Sequence, residues 1–191
     1  MKRFVIMTVG KTHSGKTTFA KALEKELLNS VVIDQDNHAE FLQTYYQTLL
    51  PKQGNNMIKY AITETIVNYA VNETDCHIIL CNSNRNQEGR LSLLEYYQSR
   101  GFGSILVDFD IPDDMLKERI EKSQRTTTIL RTALNFGEVF TRQNNEEAKA
   151  PIEGEADYLL VVTNEVDVPD VIGEIVAIAV RRGIRCEIEE K

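Results

Sequence analysis

Eight consecutive residues, Gly10-Lys11-Thr12-His13-Ser14-Gly15-Lys16-Thr17, satisfy the spacing GxxxxGK[ST] without a mismatch. Residue types in this order cradle phosphate. Gly10 and Gly15 permit backbone conformations that turn successive N–H groups toward phosphate oxygens. A helix starting behind the loop adds the partial positive charge of its N-terminus. The Lys16 ammonium reaches the β- and γ-phosphates of a nucleoside triphosphate, and the Thr17 hydroxyl ligates Mg²⁺. The expected binding set for ATP is therefore Gly10, Thr12, His13, Ser14, Gly15, Lys16, Thr17 and Thr18. His13 enters it through its backbone, because a side chain inside such a loop points away from the phosphate.

A second constellation is Val32-Ile33-Asp34-Gln35-Asp36-Asn37-His38. It sets two carboxylates just past an apolar run, in a loop expected beside the phosphate loop. A hydroxyl that attacks a phosphoryl group needs a partner to orient it and accept its proton. Asp36 is expected in that role. Asp34, nearer the strand, is expected to meet Mg²⁺ with Thr17. The reverse assignment stays open, and Asp36 is also placed to cap the helix that follows. A third signal, Asn82-Ser83-Asn84-Arg85, puts Asn82 where many P-loop ATPases carry a metal-binding aspartate, which argues against a motor-type ATPase. Asn84 and Arg85 are candidates for substrate or phosphate contact. A solvated loop, with Arg90 on a helix face, accounts for the segment equally well.

Arg119, Arg125 and Arg131 surround a Ser/Thr-rich stretch. Arginines that close over a transferring phosphoryl group stabilise its spread negative charge. Arg125, in the least helical part, is the expected lid arginine and the third catalytic candidate beside Lys16 and Asp36. Arg119 is expected on a solvated helix face. Phe41, Tyr45, Tyr46, Tyr60 and Tyr69 are expected mostly in core packing, with an acceptor pocket as the alternative.

These groups need strands to hold them at one edge. Phe4–Val9, Val31–Ile33, His77–Cys81, Ser104–Phe109 and Tyr158–Val162 read as buried strands. Helical spacing fills the intervals: 14–28, 39–50, 57–71, 87–100, 113–122, 136–149 and 168–181. Strands joined by helical crossovers form a parallel sheet with helices on both faces, and ligands then sit at the strands' carboxyl ends. The expected architecture is one three-layer α/β domain over 1–191. It is of the P-loop NTPase type, with a five-stranded parallel sheet and a lid at about 122–136.

The 191 residues are 42% hydrophobic and 27% charged, ordinary values for a globular domain. A net charge of −7 argues against a grip on long nucleic acid. No stretch approaches the roughly 20 apolar residues of a membrane span, and the N-terminal apolar run is short for a signal peptide. Cys76, Cys81 and Cys186 form no CxxC pair, and with His13, His38 and His77 they show no zinc-ligand spacing. A cytoplasmic protein with reduced thiols is expected. Monomer and homodimer both fit. A GTPase is disfavoured because Thr163-Asn164-Glu165-Val166-Asp167 supplies no NKxD-type motif. A dehydrogenase is disfavoured because the loop is not GxGxxG.

With these residues assembled, the chain resembles the P-loop kinases around phage polynucleotide 5′-kinase, zeta-type toxins and gluconate kinase, which include chloramphenicol phosphotransferase and AAA-type bacterial ATP-binding proteins. In that group an aspartate after the second strand activates the acceptor hydroxyl, which maps onto Asp36 or Asp34. His38-Ala39 stands where the group often has an arginine. Asn82-Ser83-Asn84 and Gln87-Glu88-Gly89-Arg90 resemble a drifted form of the run after the third strand in polynucleotide kinases. The segment from Ala150 to Asp157 resembles their P-x-x-x-E junction before the last strand. The resemblance implies transfer of the γ-phosphate of ATP, with Mg²⁺, to a hydroxyl of a nucleoside, nucleic acid 5′-end, sugar or similar acceptor. A nucleotide-binding regulator with little turnover is the alternative.

Overall fold

Phe4–Val9 is apolar but for Thr8, and all six residues are buried. Phe4 and Ile6 face one side of the sheet, Val5, Met7 and Val9 the other. A strand buried on both faces must lie inside a covered parallel sheet, and β1 (Phe4–Val9) is its central strand. A computed structural model of the chain describes residues 2–130 and 133–189. It shows β2 (Ser30–Ile33), β3 (His77–Leu80), β4 (Gly103–Phe109) and β5 (Tyr158–Val162) around β1. The order is β2-β3-β1-β4-β5, and every neighbouring pair is parallel. Arg131, counted above among the lid arginines, lies outside the described residues, as does the side chain of Cys186.

Helices cover both faces, so the expected three-layer α/β architecture holds. Helices α1 (Lys16–Glu26), α5 (Asp113–Glu121), α6 (Phe136–Asn145) and α7 (Asp167–Glu189) close one face. Their Phe19, Leu23, Leu116, Phe140 and Ile175 pack with Ile6, Ile79, Ile105 and Val107 of the sheet. Helices α3 (Met57–Glu73) and α4 (Gln87–Gln98) close the other, packing Ala70, Val71, Leu94 and Tyr97 on Val5, Met7, Ile78 and Leu106. Among the described residues no helix is long and apolar enough to cross a membrane.

β3 lies between β1 and β2, and the carboxylates after β2 stand beside the phosphate loop across its end, with Thr17 Oγ1 3.3 Å from Asp34 Oδ2. Two sequence readings change. Helix α2 (Gln35–Tyr45) begins four residues before Ala39. The cap is Asp34, not Asp36: its carboxylate accepts the Asp36 N–H at 2.9 Å. That hydrogen bond satisfies one of the helix's orphan amides, and it leaves the Asp36 side chain free of capping work. Finally, the aromatic set assigned mostly to the core is exposed. Phe41 meets Tyr45 and Tyr46 at 5.3 and 5.6 Å on the surface, and Tyr60 and Tyr69 are exposed as well.

Candidate active site

The phosphate loop leaves β1 at Gly10, where φ is 151° and a Cβ would stand 2.9 Å from Phe109 Cβ and 3.2 Å from the Phe109 carbonyl. Only glycine fits between the loop and β4. The Gly10 N–H donates to the Ser83 carbonyl at 3.0 Å, tying the loop to the end of β3. Gly15, at φ 99°, is the N-cap residue of α1. Between them His13 also takes positive φ, 60°, which an ordinary side chain adopts only when its surroundings hold it there. Lys16 Nζ curls over the loop, donating to the Lys11 carbonyl at 2.5 Å and to Ser14 Oγ at 3.0 Å. Burial lowers its pKa to about 8, against the opposing pull of Asp36 and Asp34.

Thr17 Oγ1 donates to Asp34 Oδ2 at 3.3 Å, so two side-chain oxygens meet where the phosphate loop faces β2. Asp34 is buried, and that burial raises its pKa. Cys81 lies between, its Sγ 3.6 Å from Thr17 Oγ1. Burial, followed by the Asp34 charge, pushes its pKa up to about 12, so it stays a thiol at neutral pH. Asn82 completes this corner. Its backbone carbonyl accepts from Thr8 Oγ1 at 3.2 Å, and its Oδ1 accepts the Gln35 N–H at 3.4 Å.

From the other side comes the Thr-rich segment after α5. Arg125 Nη2 lies 3.2 Å from Asp36 Oδ2, and its guanidinium sits 5.1 Å from the centre of the Phe136 ring. Both partners of the ion pair are about half exposed, at 41% and 54%. Such a pair is worth about 0–1 kcal/mol to stability, so the fold does not depend on it. The His13 ring points away from the loop's interior, toward Ser123 Oγ (2.8 Å) and Phe136.

The structure brings Lys16, Thr17, Asp34, Asp36 and Arg125 to one cleft at the carboxyl ends of β1, β2 and β3. It also brings residues that sequence reasoning placed elsewhere or missed. Arg119 is not on a solvated face: Nη1 donates to the His13 carbonyl at 3.3 Å, and the guanidinium stands 4.0 Å from where a Gly15 Cβ would be. Gln143 of α6 accepts the Thr12 N–H at 2.8 Å, so that amide is directed at a side chain. Arg85 donates to the Gln143 carbonyl at 2.6 Å. Arg90 is fully buried rather than solvated and clamps Glu155. The Ser/Thr-rich arginine cluster pointed toward Arg119, and the P-x-x-x-E junction toward Glu155. Gln143 carries no motif at all. Beside the loop, α1 and α7 leave a groove of about 730 Å³ lined by Thr17, Thr18, Lys21, Ala22, Val168 and Pro169.

Known proteins share this fold. A candidate kinase from Chloroflexus aurantiacus superposes with a TM-score of 0.64 at 16% identity, covering 92% of this chain and 97% of its own. Kti12 from Chaetomium thermophilum, in complex with ADP-AlF3, gives 0.61 at 17%, covering 90% and 96%. The APS kinase CysC from Mycobacterium tuberculosis, with AMPPNP and APS, gives 0.55 at 17%, covering 92% and 96%. In sequence, nicotinamide riboside kinase 1 from Mus musculus is 60% identical over 37 residues, and that stretch spans only 19% of each protein. The AAA domain family matches residues 5–135, well over half of the chain. A phosphate loop held between β1 and α1, on the five-stranded sheet of P-loop kinases, is thus accompanied by a family match across most of its length, and the chain belongs to the AAA domain family of P-loop proteins.

Proposed function

We propose that this chain is an ATP-dependent phosphotransferase that moves the γ-phosphate of ATP to a hydroxyl of a small or medium-sized acceptor. The observation that carries this reading is the Asp36–Arg125 pair. It faces the phosphate loop from across the cleft, and neither member is needed to cap a helix or hold the core. A pure nucleotide switch requires Lys16 and Thr17 but no carboxylate aimed at an acceptor.

The chain's own groups divide the work. The loop amides and Lys16 bind the phosphates. Arg119 flanks the loop near Gly15, and the α1–α7 groove opening at Thr17 and Thr18 takes the adenosine end of ATP. Thr17 and Asp34 fit Mg²⁺, because both offer hard oxygen donors. Bound Mg²⁺ supplies charge neutralisation at the phosphate oxygens. Asp36 orients the acceptor hydroxyl and takes its proton. As the acceptor enters, Asp36 exchanges Arg125 for the hydroxyl, and the freed guanidinium turns to the phosphoryl oxygens. The likeness to nicotinamide riboside kinase 1, though confined to a short stretch, makes ribosides the first acceptors to try. Nucleic acid 5′-ends and sugars follow.

The direct test is phosphate transfer from labelled ATP to a library of hydroxyl compounds. Lys16→Ala should abolish the thermal stabilisation that ATP–Mg²⁺ confers on the wild type; an unchanged shift would sink the phosphate-binding role of Lys16.

The lowered Lys16 pKa gives a second measurable consequence. Free Lys16 loses its proton near pH 8, whereas phosphate favours the charged form and raises the pKa on binding. Above about pH 8 binding therefore takes up a proton, and ATP affinity falls by up to about tenfold per pH unit. Titration calorimetry of the wild type across this range should show the dependence. A wild-type affinity that stays flat up to about pH 9.5 contradicts the assignment.

A further inference from the structure

We infer that His13 is a positioning residue that holds the lid arginine, Arg125, in register with the phosphate loop. Its side chain reaches Arg125 by two separate routes. Nε2 pairs with Ser123 Oγ at 2.8 Å, and the same Oγ accepts the Arg125 backbone N–H at 3.2 Å. The ring also meets Phe136 edge-on, with centroids 4.8 Å apart and planes at 72°, while the Arg125 guanidinium lies over that same Phe136. Edge-to-face contacts and cations over ring faces are favourable geometries, so one buried aromatic is shared by the loop histidine and the lid arginine.

The loop end of the linkage is equally tied. Nδ1 pairs with Thr12 Oγ1 at 3.0 Å, and the His13 carbonyl accepts from Arg119 at 3.3 Å. With both ring nitrogens engaged and the backbone in the left-handed region, the ring turns only if the loop turns. A shift of the loop as phosphate settles among its amides is therefore passed to Ser123, Phe136 and Arg125. The ring is neutral: burial, then the charges of Arg125, Lys16 and Arg119, lower its pKa to about 4. A neutral imidazole donates at one nitrogen and accepts at the other, and hydroxyls at Thr12 and Ser123 serve either tautomer.

The inference rests on the phosphotransfer reading only for the work Arg125 performs; the linkage itself concerns the order of residues 123–130. Hydrogen exchange of that segment tests it without any acceptor, using a non-hydrolysable ATP analogue with Mg²⁺. In the wild type, exchange should slow by about tenfold or more on binding. Ser123→Ala cuts the linkage without touching the phosphate loop. It should lose that protection while keeping analogue affinity within about threefold. His13→Asn, which tolerates positive φ and keeps an amide near Thr12, should lose it too. His13→Gln, whose amide nitrogen can reach Ser123, should recover much of it. Wild-type protection in both Ser123→Ala and His13→Asn overturns the proposal. So does a His13→Asn protein that no longer binds the analogue while Ser123→Ala behaves as wild type, since the ring would then serve loop shape alone. A chain that phosphorylates no acceptor would remove the kinase reading and leave the exchange result standing. With an acceptor in hand, kcat of Ser123→Ala/Arg125→Ala should equal that of Arg125→Ala alone, and additive losses refute the linkage.

Discussion

Asp36→Asn cuts phosphoryl transfer by roughly 10²–10⁴-fold, the usual scale for loss of a general base, while ATP affinity stays near that of the wild type. The substitution keeps the side chain's shape and removes its capacity to take a proton. Helix α2 should survive, because its cap is Asp34. The lost ion pair with Arg125 is half exposed and worth little to folding. Asp34→Asn is a different experiment. Asp34 is buried, accepts from Thr17 Oγ1 and caps α2, so its substitution should raise the Mg²⁺ concentration required and lower stability. Steady-state kinetics with Mg²⁺ titration separate the two. If Asp36→Asn kept full turnover and Asp34→Asn lost it, the roles of the carboxylates would be exchanged. If neither changed turnover, the protein would be a nucleotide-binding regulator instead.

Arg90→Ala destabilises the fold by about 3–5 kcal/mol, the cost of leaving a buried charge without its partner. Arg90 and Glu155 have side-chain exposures of 0% and 5%. Nε and Nη2 of Arg90 donate to the two Glu155 oxygens at 2.8 and 3.1 Å, Nη1 to the carbonyls of Asn84 and Arg85, and Nη2 also to that of Lys149. Every N–H of the guanidinium thus has an acceptor. Burial raises the Glu155 pKa, but hydrogen bonds from Arg90 and Gln87 outweigh it and hold the carboxyl below its usual value. A carboxylate depressed on folding stabilises above its unfolded pKa and loses that contribution as pH falls through the folded one. The wild type should therefore weaken in acid, and Arg90→Ala should show less of this loss. Urea denaturation at neutral and acid pH reads both effects. Replacing both partners with apolar residues should recover much of the stability, whereas a cost below about 1 kcal/mol for Arg90→Ala would show the pair to be dispensable. Because Arg90 also holds the Asn84 and Arg85 carbonyls, the variant should loosen the cleft wall after β3.

Sequence alone determined what depends on near neighbours along the chain. The phosphate loop is contiguous, and its glycines, lysine and threonine carry their chemistry in their spacing. The strands show as short apolar runs because a parallel sheet buries both faces, as β1 does completely. The two carboxylates after β2 are visible for the same reason, since strand ends in such a sheet are where ligands gather.

Tertiary structure alone decided what depends on partners far away in sequence. That β3 inserts between β1 and β2 is a matter of sheet order, which no local pattern records. The cap moved from Asp36 to Asp34 because capping depends on where the chain turns into α2, and a two-residue difference is invisible to composition. Arg119, Gln143 and the His13 ring meet the phosphate loop or the segment after α5 across more than a hundred residues of chain. Arg90 finds Glu155 over 65. A polar side chain looks alike in sequence whether water or a buried carboxylate receives it. Only packing removes the water, and with the water gone the partner becomes obligatory.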